Sequence, residues 1–157
     1  GGSQGIIGNY HFTASNGSVN ITEAKFTVTE GSSATQITVD GKTVPVIGGN
    51  ATVTGLNFNI PQGYSGRSLP VTVSYNTVGQ TGGTASDTAS KVRLTEVKYV
   101  AGNTTTSLTG LTVDSNTMRV VGGIPTVDLS ASTRNTLSTG STMLAEITVS
   151  ALSNGGK

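Results

Sequence analysis

Cysteine and tryptophan are absent from this 157-residue chain, histidine occurs once, and charged residues make up only 11% of it. Each shortage removes a class of function. Without cysteine there is no disulfide framework, no thiolate nucleophile and no thiolate metal site. A single histidine, His11, leaves no histidine pair for a metal, and any Ser–His–Asp triad would have to use it. His11 lies on the polar parity of a strand, where a solvated side chain is expected. Three phenylalanines and four tyrosines offer few stacking platforms, and nine cations against eight anions are scattered without a basic patch. Nucleic-acid binding is therefore not expected. No apolar run approaches the roughly 18 residues of a membrane-spanning helix, and the Gly1-Gly2-Ser3 start reads as a processed or trimmed end, from which an export signal is expected to have been removed. The eight carboxylates are dispersed, and the paired acids of a glycosidase would lack the usual aromatic sugar platforms. No enzymatic activity and no cofactor are expected.

Serine and threonine take the place of the missing charge. Together they fill 45 positions, 18 Ser and 27 Thr, alongside 22 glycines. Threonine is β-branched and suits a pleated, half-wet surface, whereas the scarce Lys and Glu are the usual surface residues of helices. Composition thus favours sheets before any pattern is read. Patterns agree. Leu69, Val71, Val73 and Tyr75 alternate with Pro70, Thr72, Ser74 and Asn76, which places four apolar groups on one face of a strand. Ile37 and Val39 lead into Asp40-Gly41, a pair suited to the two positive-φ positions of a type I′ hairpin turn, and Val44 and Val46 return.

Three strands change phase midway. Val19 and Ile21 share one parity and Ala24, Phe26 and Val28 the other; Val53 is followed out of phase by Leu56, Phe58 and Ile60, with Gly55 at the slip. Val92 and Leu94 give way to Val97 and Tyr99. Either β-bulges or strands crossing between two sheets would produce this. Glycine, Asn and Pro punctuate the chain at short intervals, and Gln80–Ala89, lacking strong apolar residues, reads as a long loop. The expectation is an all-β, antiparallel immunoglobulin-like β-sandwich with a C-terminal extension strand. Its boundaries are 1–137 for the sandwich and 138–157 for a linker and extension strand pairing with a neighbouring subunit or repeat.

The two ends echo each other. At an offset of 137, Ile6 matches Met143, Ile7 matches Leu144, Tyr10 matches Ile147, Phe12 matches Val149 and Ala14 matches Ala151. Ser-Asn-Gly follows both segments, and Gly-Ser precedes both. The last segment reads as a second copy of the first strand, with Met143, Ala145, Ile147, Val149 and Ala151 on one apolar face. A lone strand of that kind needs a sheet to join, either its own or a neighbour's. Because donor and acceptor would lie at different places on the subunit, such a contact is head-to-tail and generates rings or open filaments.

The run Gly55-Leu56-Asn57-Phe58-Asn59-Ile60-Pro61-Gln62-Gly63-Tyr64-Ser65, with Leu69-Pro70-Val71-Thr72-Val73 after it, resembles a motif of immunoglobulin-like repeats in bacterial and archaeal cell-surface proteins, including surface-layer and filament proteins. Phe12-Thr13-Ala14-Ser15 with Ile21 to Val28 resembles the opening of the same repeat. The resemblance covers roughly residues 5–76 and implies an extracellular or cell-surface structural role without catalysis. The expected function is a subunit of a pilus-like filament or surface layer that polymerises with copies of itself by β-strand exchange. The alternative is an adhesin or carbohydrate-binding module of a larger surface protein.

Smaller candidates complete the reading. Asp114-Ser115-Asn116 and Asp87 could offer oxygen ligands to calcium, although Asp and Asn are ordinary turn formers. Lys25 or Lys98 could form an isopeptide bond, but solvated lysines are the expectation. Asn16, Asn20, Asn50 and Asn103 head glycosylation sequons, a number close to the roughly three that chance supplies.

Overall fold

The computed structural model of the chain describes residues 4–29, 33–63, 66–78, 88–120, 125–131 and 145–151. Within them lie eleven strands and no helix. They are β1 (Gln4–Phe12), β2 (Val19–Thr29), β3 (Ala34–Val39), β4 (Lys42–Pro45), β5 (Asn50–Ile60), β6 (Arg67–Tyr75), β7 (Thr88–Ala101), β8 (Thr104–Asp114), β9 (Met118–Val120), β10 (Pro125–Ala131) and β11 (Ala145–Ala151). One sheet runs β1-β6-β3-β4; the second runs β5-β2-β7-β8, with β9 also beside β7. Every pairing is antiparallel. These two sheets pack face to face as a β-sandwich, as the alternation in the sequence predicts.

Local chemistry sets the strand ends and bends. Asp40 and Gly41 both adopt positive φ, 48° and 74°, and close the β3–β4 hairpin with Val39 opposite Lys42. Asp tolerates that region through its short polar side chain, and Gly has no Cβ to clash. The phase changes are bulges rather than crossings between sheets. β2 slips against β5 between Ile21 and Glu23, where Gly55 takes a φ of 67°. β7 slips against β8 between Leu94 and Glu96, where Gly110 takes a φ of 71°. Each slip resets the alternation so that Ile21 and Phe26, or Leu94 and Val97, all point into the core. The expected loop at Gln80–Ala89 is shorter at its far end, because Thr88 and Ala89 already belong to β7; residues 80–87 lie outside the described residues.

Strand pairing is immunoglobulin-like at the centre and different at the sides. The second strand pairs with the fifth and the third with the sixth, as B pairs with E and C with F in that fold. At the sides, β1 lies beside β6 and β7 lies beside β2. The first strand therefore takes the place next to the sixth that a final strand would hold. A bulge between Ile6 and Gly8 turns Ile7 and Tyr10 inward together. Tyr10 packs on Phe26 of the facing sheet at 5.7 Å between ring centroids, and its hydroxyl donates to the Val92 carbonyl at 2.8 Å. Burial raises the Tyr10 pKa far above the ordinary tyrosine value, so it stays a neutral donor.

The core is continuous from Ile7 to Val120 and almost wholly apolar. The one fully buried polar residue among those described, Ser90, accepts a hydrogen bond from the Tyr75 hydroxyl at 2.7 Å. Phe26, 1% exposed, is among the largest fully enclosed groups. We expect Phe26→Ala to lower the unfolding free energy by about 3–5 kcal/mol in chemical denaturation. Tyr10→Phe should cost less, about 0.5–1.5 kcal/mol, because the Val92 carbonyl keeps the Ser115 amide as a donor.

Candidate assembly site

Beyond Val120 the described strands belong to neither large sheet. β10 and β11 pair only with each other among the described residues, as a two-stranded antiparallel ladder. The expected first domain, 1–137, included the segment that forms β10; its partner β11 belongs to the expected extension, 138–157, so the ladder straddles that boundary. Val127 stands opposite Val149, Leu129 opposite Ile147 and Ala131 opposite Ala145. In this register apolar residue types stand opposite apolar ones at the odd-numbered positions, Pro125 to Ala131 and Ala145 to Ala151, and polar types opposite polar ones at the even-numbered positions. Ile147 is 65% exposed. The sequence reading found β11 and its apolar face but passed over β10, whose matching alternation of Val127 and Leu129 with Asp128 and Ser130 was the available signal. Met143 lies outside the described residues, and only Ile147 and Thr148 of β11 have described side-chain exposure.

The fold gives the terminal echo a structural meaning. Ile7, Tyr10 and Ala14 are buried in the sandwich and Phe12 packs against the core, a spacing of three, two and two created by the bulge. Leu144, Ile147, Val149 and Ala151 repeat that spacing in the sequence. The end segment thus carries the pattern of a sandwich strand, phase change included.

The remaining candidates are set in ordinary structural roles. His11 is exposed, with Nδ1 3.2 Å from the Ser68 hydroxyl. Asp114 faces Arg93, with a 2.6 Å contact to Nε, and Lys91 at 3.3 Å, while the Ser115 hydroxyl receives the Val92 amide. Its carboxylate is thereby committed to two cations, and among the described residues no group of three or more His, Asp or Glu could hold a metal. Asp87 lies outside the described residues. Lys25 contacts Glu96 at 2.8 Å and Lys98 contacts Glu23 at 3.2 Å, forming a ladder of opposite charges across β2 and β7. Asn16 and Asn103 are exposed at turns; Asn50 is tied to Gly48 and Thr27; Asn20 sits in the central strand β2 with Oδ1 enclosed and without a partner. No helix of the described residues is long and apolar enough to cross a membrane.

Fold and ladder together define a class, an all-β antiparallel sandwich followed by a separate amphipathic strand pair. Comparison with protein-family models, curated proteins and solved structures finds no match.

Arg93 and Lys91 hold the Asp114 pKa down from 3.8 to about 2, with the Arg93 hydrogen bond the largest cause. A lowered folded-state value means that this ionised carboxylate stabilises the fold above the unfolded value near 3.8 and ceases to do so as pH falls through about 2. Thermal melts of Asp114→Asn should therefore fall below wild type at neutral pH and converge with it below pH 2. A difference that persists unchanged into that acid range would contradict the ion-pair assignment.

Proposed function

We propose that this chain is a structural subunit of an extracellular pilus-like filament or surface layer, joined head-to-tail with its neighbours by β-strand exchange. The observation that carries the reading is the β10–β11 ladder, which among the described residues has two strands only and pairs apolar residue types along its odd-numbered positions. An isolated pair of strands is marginal in water, and a third strand or a packed layer is needed to stabilise it. Ile147, more than half exposed, gains about 1–2 kcal/mol if its remaining surface is buried. The same exposed edge is an aggregation hazard unless it docks.

The interface strand is the segment bearing Met143, Ala145, Ile147, Val149 and Ala151, and its partner is a copy of the same chain. Composition supports a surface role. Low charge and abundant Ser and Thr leave hydration to hydroxyl groups, and glycans at exposed Asn16 and Asn103 would add to it. An intact mass equal to the bare 15.8 kDa chain from the native source would rule those glycans out. An adhesin or carbohydrate-binding module is the second reading; the one feature that favours it is a cleft of about 610 Å³ bordered by Phe12 and Tyr99.

Deleting residues 142–157 distinguishes the two. A filament or lattice subunit should lose the polymers seen by electron microscopy and retain the circular dichroism and thermal midpoint of the sandwich. An adhesin would keep its ligand, and polymers that survive the deletion would defeat assembly by strand exchange.

A further inference from the structure

We propose that the open side of the sandwich beside β1 is the acceptor for the β10–β11 ladder of a second copy, which extends the β1 sheet across the uncovered inner face of β8. The inference rests on the assembly reading above and locates its missing half.

The two large sheets are out of register by one strand. β4 lies over β5 and β1 lies over β7, where Tyr10 reaches Val92. Among the described residues no strand of the β1 sheet packs on β8 as β1 packs on β7. The consequence shows in the side chains. Leu108 pairs across the ladder with Val97, and Val113 with Leu94, so both point to the inner face. Val97 and Leu94 are 3% and 2% exposed, whereas Leu108 and Val113 are 53% and 49% exposed. Leu111, also packed against the core side, completes an apolar row along β8. β1 ends its sheet and pairs with β6 alone among the described residues, so its other edge carries no described strand. The cleft between Phe12 and Leu108 continues the same opening at one end of the sandwich.

Each copy therefore has one place for a strand and one ladder without a sheet. The place requires free backbone groups on the donor edge and an apolar face turned toward Leu108, Leu111 and Val113. β11 offers both: its second edge is unpaired among the described residues and Ile147 lies on the apolar face. In its own chain the ladder does not fill the place, since β11 pairs with β10 and Ile147 remains exposed. One donor and one acceptor at different positions give a head-to-tail series.

The echo between β11 and β1 raises a rival geometry, in which β11 displaces β1. Local packing disfavours it. A Cβ at Gly8 would stand 2.9 Å from the Ser115 Cβ, and the offset places Ala145 there. Ile147 would replace Tyr10 and lose the hydroxyl contact to Val92.

Sedimentation velocity on two variants tests the site, with circular dichroism confirming that each is folded. Leu108→Glu removes the acceptor floor and Ile147→Glu the donor face. Each alone should associate at least ten-fold more weakly than wild type. Their equimolar mixture should form dimers and nothing larger, because one intact donor and one intact acceptor remain. Wild type that assembles while Leu108→Glu assembles equally well overturns this site and leaves the assembly reading standing. Wild type that stays monomeric at every concentration overturns both.

A Leu108→Cys/Ile147→Cys chain keeps both positions apolar and covers the case in which glutamate unfolds the sandwich. It should give a disulfide between copies under oxidation. A disulfide within one copy, or none in assembled protein, overturns the proposal. Hydrogen exchange gives the geometry: β1 amides should slow on assembly, and faster exchange would mean that β1 is displaced.

Discussion

A strand with one apolar face is stable only when another layer covers that face, and nearly every feature of this molecule follows from how that demand is met. Phe26 on β2 and Tyr10 on β1 meet across the two sheets at 5.7 Å. Around them Ile37, Val53, Leu69 and Val92 are almost wholly enclosed. With so little charge available for surface ion pairs and no disulfide, this apolar contact between sheets is the principal source of stability. The few charges are used locally, as the Lys25–Glu96 and Arg93–Asp114 pairs on exposed strand surfaces, which are worth little individually.

Coverage is complete in the middle and incomplete at one side. The bulges at Ile21 and Leu94 keep inward positions inward along strands of eleven and fourteen residues. The same device appears at Ile6 and Gly8 in β1. Past β1, however, the facing sheet stops and β8 continues, leaving Leu108 and Val113 half in solvent. In the β10–β11 ladder no third strand joins among the described residues, and Ile147 is 65% exposed. Exposed apolar rows of this sort are uncommon on monomers and mark contact surfaces. The exposed Leu108 and Val113 and the exposed Ile147 are the observations on which the proposed self-associating role rests.

Sequence and structure agree where periodicity is strong. Leu69 to Tyr75 and the Asp40-Gly41 turn are written in residues that allow few alternatives, whereas the phase slips at Gly55 and between Leu94 and Val97 fit bulges or sheet crossings alike, and the strand register decides for bulges. Other features were illegible for identifiable reasons. β8 begins with a run of Thr and Ser whose members are all exposed, so no alternation marks it. β10 was legible but unread, because a seven-residue strand next to glycines resembles many others.

The amino-acid sequence alone determined the class: an all-β chain without thiol or paired-histidine chemistry, with threonine-rich strands, a hairpin at Asp40-Gly41, and an end segment that repeats the beginning. Those properties depend on residue type and local spacing, which a linear reading contains. Which strands are neighbours depends on contacts between residues far apart in the chain, and only the tertiary structure decided it. It placed β1 beside β6, left Leu108 and Val113 of β8 half exposed, and joined β10 to β11 as a two-stranded sheet of their own among the described residues. The vacancy and the ladder are relations between distant segments, and no window along the sequence holds both.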